Sequence, residues 1–103
     1  MKNVTPTVGC FAESKQGRDK GRFYIIKTVE EKGFVTVVDG NYKKLTSPKK
    51  KSLKHLRLLP DKAEIIAQKL IEGKQVFDSE IYSALRPYND KTFISQNSEV
   101  EGV

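Results

Sequence analysis

A mainly β fold, a small five-stranded barrel followed by a C-terminal helical hairpin, is what this 103-residue sequence predicts. Three observations carry the expectation. Short β-branched or aromatic runs separated by turn signals fill roughly the first 60 residues. Beyond Asp61 the apolar spacing changes to the i, i+3, i+4, i+7 pattern of an amphipathic helix. The charge divides at the same place: residues 1–60 hold 14 Lys and Arg against 5 Asp and Glu, a balance of +9, whereas residues 61–103 hold 5 against 8, a balance of −3. A chain of this length cannot enclose two full hydrophobic cores, so one compact module with an extension is expected.

The predicted strands are residues 8–12, 22–28, 33–38, 42–45 and 53–59. Asp39-Gly40 suits a tight hairpin turn that needs positive φ. So few short strands are too few for a sandwich but suffice for an SH3-like barrel, which limits open edges by curling the sheet on itself. In the last strand Leu56 and Leu58 are expected to face inward, sending His55 and Arg57 outward beside the lysine run at 49–51. In the third, Val35 and Val37 alternate with Phe34, Thr36 and Val38, so both faces are partly apolar, and the C-terminal segment is expected to cover the outer one.

The first helix is expected to start at a capping box made by Asp61 and Glu64, to bury Ala63, Ile66, Ala67 and Leu70, and to stop at Gly73. The second is expected to start at Asp78 or Ser79, with Phe77 and Tyr82 as a hydrophobic staple, to pack Ile81, Ala84 and Leu85, and to end at Pro87. Leu59-Pro60 is the expected linker. The domain plan is therefore a barrel at 1–60, a helical extension at 61–88 and a polar tail at 89–103.

The segment most suggestive of chemistry is Gly17-Arg18-Asp19-Lys20-Gly21-Arg22, a glycine-punctuated loop between two strands. Gly17 and Gly21 allow a phosphate to approach the main chain, their freed amides can donate to it, and Lys15, Arg18, Lys20 and Arg22 supply charge. Arginine can grip a phosphate with two hydrogen bonds where lysine offers a point charge. Asp19 could accept from a 2′-hydroxyl or a base edge, but the turn-holding role common for Asp is preferred. A second basic set, Lys43, Lys44, Lys49, Lys50, Lys51, Lys54 and Arg57 with His55, is expected on an extended loop after Pro48 that could follow a phosphate track. Among the interleaved aromatics, Phe23 and Phe34 are expected in the core, whereas Tyr24 and Tyr42 could either pack or stack on unpaired bases.

These residues resemble the KOW motif of ribosomal proteins and NusG-type transcription factors. The resemblance runs from Val8-Gly9 through the Gly17-x-x-x-Gly21 loop to Val38-Asp39-Gly40, and covers roughly the first 60 residues by spacing. NusG-type motifs usually carry a further glycine where this chain has Tyr24, so the resemblance lies with the archaeal and eukaryotic type of large-subunit ribosomal protein. It implies a KOW barrel contacting structured large-subunit ribosomal RNA, with ribosomal proteins as further partners.

Other classes find little support in the residues. The single cysteine, Cys10, excludes an internal disulfide and reads as a small core hydrophobe. No Cys/His cluster has zinc spacing, and His55 has no carboxylate or thiol at useful spacing. No Walker loop is present, since Gly21 is followed by Arg22 rather than Lys-Ser or Lys-Thr. Asp78 and Glu80 make the second helix too acidic for a DNA-recognition helix. The start of the chain lacks an apolar h-region, and no run of about 18 apolar residues occurs. A cytoplasmic, non-enzymatic RNA-binding protein without cofactor, small-molecule substrate or membrane partner is the expectation. The alternative is an SH3-like protein-interaction module in transcription or translation.

Overall fold

The computed structural model describes residues 5–89. The expected tail beyond Asn89 lies outside them. In chain order the elements are β1 (Cys10–Ser14), β2 (Phe23–Val29), β3 (Phe34–Val38), β4 (Lys49–Ser52), a single 3₁₀ turn (Leu53–His55), β5 (Leu56–Lys62), α1 (Glu64–Glu72) and α2 (Asp78–Asn89). The strands form one antiparallel sheet in the order β4-β3-β2-β1-β5.

That order dictates curvature. β4 and β5 are the two edges, yet the three residues Leu53–His55 join them. A 3₁₀ turn rises about 2 Å per residue, so the connection spans roughly 6 Å, against roughly 19 Å between the edges of a flat five-stranded sheet. The sheet must therefore curl until its edges approach. Val35 and Val37 of β3 then share one buried cluster with Leu56 of β5, along with Cys10, Ala12, Tyr24 and Ile26.

The opposite face of the same strands is also covered. Phe11 pairs in register with Ile25, and Ile25 with Val38, giving an apolar row across β1, β2 and β3. This row packs with Ile66, Val76, Ile81 and Leu85 in a second cluster, as the mixed apolar pattern of the third strand led us to expect. Of the helical residues nominated by spacing, Ile66, Ile81 and Leu85 belong to it and Ala63, Leu70 and Ala84 pack against it, while Ala67 is buried where α1 meets Gly9.

Four expectations need correction. Residues 42–45 form a bent loop, and the fourth strand lies instead in the lysine run at Lys49–Ser52. Its ladder with β3 supplies hydrogen bonds that three consecutive lysines would not recruit alone. β5 runs through Pro60 to Lys62, so Leu59-Pro60 is no linker. Proline is accommodated because β5 is an edge strand and its register with β1 shifts between the Cys10 and Ala12 pairs. Since Lys62 pairs with Cys10, Asp61 is held extended, and Ala63 rather than Asp61 stands at the N-cap of α1, with no side-chain cap.

The fourth correction concerns the end of α2, which passes Pro87 and closes at Asn89. Tertiary contacts hold that last turn. The Tyr88 ring lies 4.9 Å from Phe11 and 5.1 Å from Phe23. The Asn89 side chain accepts from the Phe23 amide at 2.8 Å and donates to its carbonyl at 2.9 Å, as a neighbouring strand would. At the other end of α2, Phe77 and Tyr82 both stay exposed, while Glu80 accepts from the Phe77 amide at 3.1 Å.

Two glycines let the helices touch the barrel backbone to backbone. Gly9 (φ +91°) and Gly40 (φ +78°) occupy the left-handed region, and a Cβ on either would strike the docked helix. On Gly9 it would lie 2.8 Å from Ala67 Cα, and on Gly40 2.6 Å from the Tyr82 amide nitrogen. A nine-residue helix such as α1 is marginal in isolation, so this seating is what makes it persist. Gly40→Ala should cost on the order of 2–4 kcal/mol through positive-φ strain plus overpacking. Gly33→Ala has the same sign of φ but meets nothing within 4 Å. It should cost only about 1–2 kcal/mol. Urea unfolding followed by circular dichroism measures the difference, and equal costs would remove the close approach from the account.

Candidate functional site

The glycine loop and the lysine run, far apart in sequence, come together at one end of the barrel. β4 explains how. Lys49 pairs with Val37 and Lys51 with Val35, so both lysines stand on the face of the sheet that carries the inner core, while Lys50 stands on the other. Lys51 is only 8% exposed. A charge so placed needs a counter-ion and full hydrogen bonding.

Asp19, at the tip of the glycine loop, supplies it. One carboxylate oxygen accepts from Ser14 Oγ at 2.8 Å and from Lys51 Nζ at 3.1 Å. The other accepts from the Tyr24 hydroxyl at 2.6 Å and from Lys49 Nζ at 3.3 Å. Burial pushes the Asp19 carboxyl up, but these hydrogen bonds together outweigh it and hold the group well below the usual carboxylate range. Burial, followed by the bond to Asp19 and its charge, drives the Tyr24 phenol well above its ordinary value. The turn-holding role expected for Asp19 is thus correct in kind, although its partners are β1, β2 and β4 rather than its own turn.

This network and two further ion pairs engage several of the nominated residues. Tyr24 is 1% exposed with its hydroxyl engaged, so it packs rather than stacks. Lys51 is enclosed and Lys49 leans on Asp19. Arg22 donates through Nε to the fully buried carboxylate of Asp39 at 2.8 Å and lies 4.7 Å over the Tyr42 ring. Arg57 pairs with Glu13 across the β1–β5 ladder at 2.7 Å. The amides of Lys20, Gly21 and Arg22 are bonded to the carbonyls of Gly17, Ser14 and Asp19, so they are not the phosphate donors the loop suggested.

What stays available is a well-defined subset. Lys15, Arg18, Lys20, Lys44 and Lys54 are exposed, Lys43 is half-buried, and none makes an ion pair among the described residues. Gly17 and Gly21 are exposed at the loop ends. An open groove of about 480 Å³ is lined by Gln16, Gly17, Arg18 and Asp19 of the glycine loop and by Lys49, Lys50, Lys51 and Ser52 of β4. His55, half-buried, and Phe34 complete the lining. Four cations and one carboxylate therefore border this groove.

Phe34 is the residue that sequence reasoning misplaced. Expected in the core, it is 37% exposed, with Lys50 Nζ 4.9 Å from its ring centroid. It begins β3 opposite Ser52, outside the part of the strand that the inner core covers. The alternation of Val35 and Val37 carried the signal, because period 2 places Phe34 opposite to them in facing.

A nucleophile-like contact is present but sealed. Ser14 Oγ accepts from Lys51 Nζ at 2.8 Å, a spacing typical of a nucleophile and its base. Ser14 is 1% exposed and also bonded to Asp19, so a substrate atom has no approach to it. Cys10, as expected, is a buried core residue whose thiol donates to the Leu59 carbonyl, and burial pushes it up. Among the described residues no group of His, Cys, Asp and Glu could hold a metal ion, and no helix is long and apolar enough to cross a membrane. No protein-family model matches this sequence, and no curated protein matches it significantly.

Asp19 sets a test by acid. Its folded pKa lies below the unfolded value near 3.9, so the stability it contributes is complete above about pH 5 and drains away as the pH falls through the folded pKa. Asp39 is displaced in the same direction: burial raises it, and donors from Lys43, Asn41 and Arg22 outweigh that. Asp19→Ala should cost about 3 kcal/mol at neutral pH, because it leaves a buried ammonium unpaired. It should also flatten the loss of stability below pH 4. Unfolding free energies measured from pH 2 to 7 check both, and parallel profiles for the two proteins would count against the network.

Proposed function

We propose that this protein is a non-enzymatic RNA-binding barrel that grips phosphates with the exposed cations of the glycine loop and the β4 groove. The carrying observation is the groove itself, which joins Arg18 to Lys50 and His55 around an exposed ring, Phe34. The Asp19 anchor holds the loop from below, so Lys15, Arg18 and Lys20 are presented on a frame that is ordered before any ligand arrives. Phosphate and shape contacts dominate in this reading, with Phe34 offering a stacking surface at the edge. Structured large-subunit ribosomal RNA is the class that the KOW resemblance suggests, with ribosomal proteins as neighbours. The cytoplasm is the compartment that fits this partner.

The alternative, a protein-interaction module, draws on Ile65 and Ile71, which stand 71% and 69% exposed on α1. Salt separates the two. Polarisation titrations of a structured RNA between about 50 and 200 mM salt should show a steep fall in affinity. Arg18→Ala with Lys20→Ala should reduce affinity about tenfold and lower the slope of log K against log salt by roughly 1.8, whereas Glu64→Gln should change neither. An identical slope in the double variant would remove the loop from the interface. In a lysate gradient the protein should travel with the large ribosomal subunit at low salt and leave it at high salt. Its persistence at the top at both salts would favour the protein-interaction reading.

A further inference from the structure

A second concentration of exposed rings lies on the other flank of the glycine loop. Tyr42, Phe77 and Tyr82 are 72%, 59% and 42% exposed, and all three belong to the junction where the turn after β3 meets the start of α2. A cleft of about 260 Å³ opens there, lined by Gly40, Asn41, Ser79 and Tyr82. It is small for a drug-sized ligand, for which about 300 Å³ or more is usual, but suits a single flat ring.

We infer that this cleft takes one unpaired nucleobase, stacked against tyrosine, next to the phosphates held by the glycine loop. The inference rests on the RNA-binding reading and adds the class of RNA, one that presents an unstacked nucleotide. The cleft is built rather than incidental. Asp39 accepts from the amides of Asn41 at 2.9 Å and Lys43 at 2.7 Å and from Arg22 Nε at 2.8 Å, which orders the turn that carries Tyr42. Gly40 seats that turn directly on the Tyr82 backbone.

The cleft's place beside the glycine loop favours a nucleotide over a protein segment. The Arg22 guanidinium lies over Tyr42, and Arg22 directly follows Gly21, so the turn that carries Tyr42 borders the glycine loop. The carboxylates nearby are already engaged. Asp78 accepts from the Leu45 amide at 2.7 Å, and Glu80 from Lys69 Nζ at 2.8 Å and from the Phe77 amide. Asn41 and Ser79 supply the donors and acceptors that the edge of a base requires.

The test compares a hairpin RNA carrying 2-aminopurine in its loop with a blunt duplex of the same stem, using the full chain. Wild type should bind the hairpin about tenfold more tightly and quench the 2-aminopurine. Tyr42→Ala with Tyr82→Ala should lose at least tenfold on the hairpin, with duplex binding unchanged, and Tyr42→Phe with Tyr82→Phe should restore it, since stacking needs the ring and not the hydroxyl. Equal affinities of wild type for the two RNAs, or an alanine effect equal on both, would overturn the base site while leaving RNA binding intact. Failure of wild type to bind either RNA would overturn the RNA-binding reading as well. An apolar protein-docking role would appear as hairpin binding indifferent to both double variants, and also overturns the inference.

Discussion

The Asp19 carboxylate is the interaction on which the rest of the barrel depends. Pairing β4 with β3 puts Lys49 and Lys51 on the face occupied by Val35 and Val37, where Lys51 is buried and Lys49 only partly exposed. One carboxylate accepting from two ammonium groups, a serine and a tyrosine closes that end without an unpaired buried side-chain polar atom among the described residues. Apolar residues of similar volume could fill the same space as stably, so the network is not the strongest possible glue. What it adds is position: the loop that bears Arg18 and Lys20 is tied to three strands at once.

The two faces of the sheet divide the remaining work. The inner face wraps the barrel core, and the outer row of Phe11, Ile25 and Val38 carries the helices. Docking at Gly9 and Gly40 brings helix backbone to barrel backbone, a closeness that side chains would prevent. The helices thereby cover the outer apolar row while the end of the barrel with the glycine loop and the lysine groove stays open. The helices carry Glu64, Glu72, Asp78 and Glu80 against Lys69 and Arg86, so the covering layer is mildly acidic over a basic module.

The candidate site was legible in outline and misread in detail, and the reason is the same at each residue. Composition marked residues 15–22 and 43–57 as basic, and the structure does bring the loop and the lysine run to one groove. A run of three lysines reads as solvated loop because nothing local shows that its neighbour in space will be a valine strand. Tyr24 and Arg22 look free for the same reason: the carboxylates that engage them are 5 and 17 residues away in the chain. Phe34 erred the other way, an aromatic placed at the end of a strand just beyond the reach of the core.

By itself the sequence determined the class of fold, the apolar faces of both helices and the division of charge, because these follow from spacing and composition that act over a few residues. The strand boundaries at β4 and β5, the end of α2 and the identity of the exposed cations were decided only by the tertiary structure. Each of those depends on a partner distant in the chain: Val35 and Val37 for the lysines, Cys10 for Lys62, Phe23 for Asn89, and Asp19 for the ammonium groups of Lys49 and Lys51. A hydrogen bond or ion pair between distant residues leaves no period in the sequence, so its effect becomes visible only when the chain has folded around it.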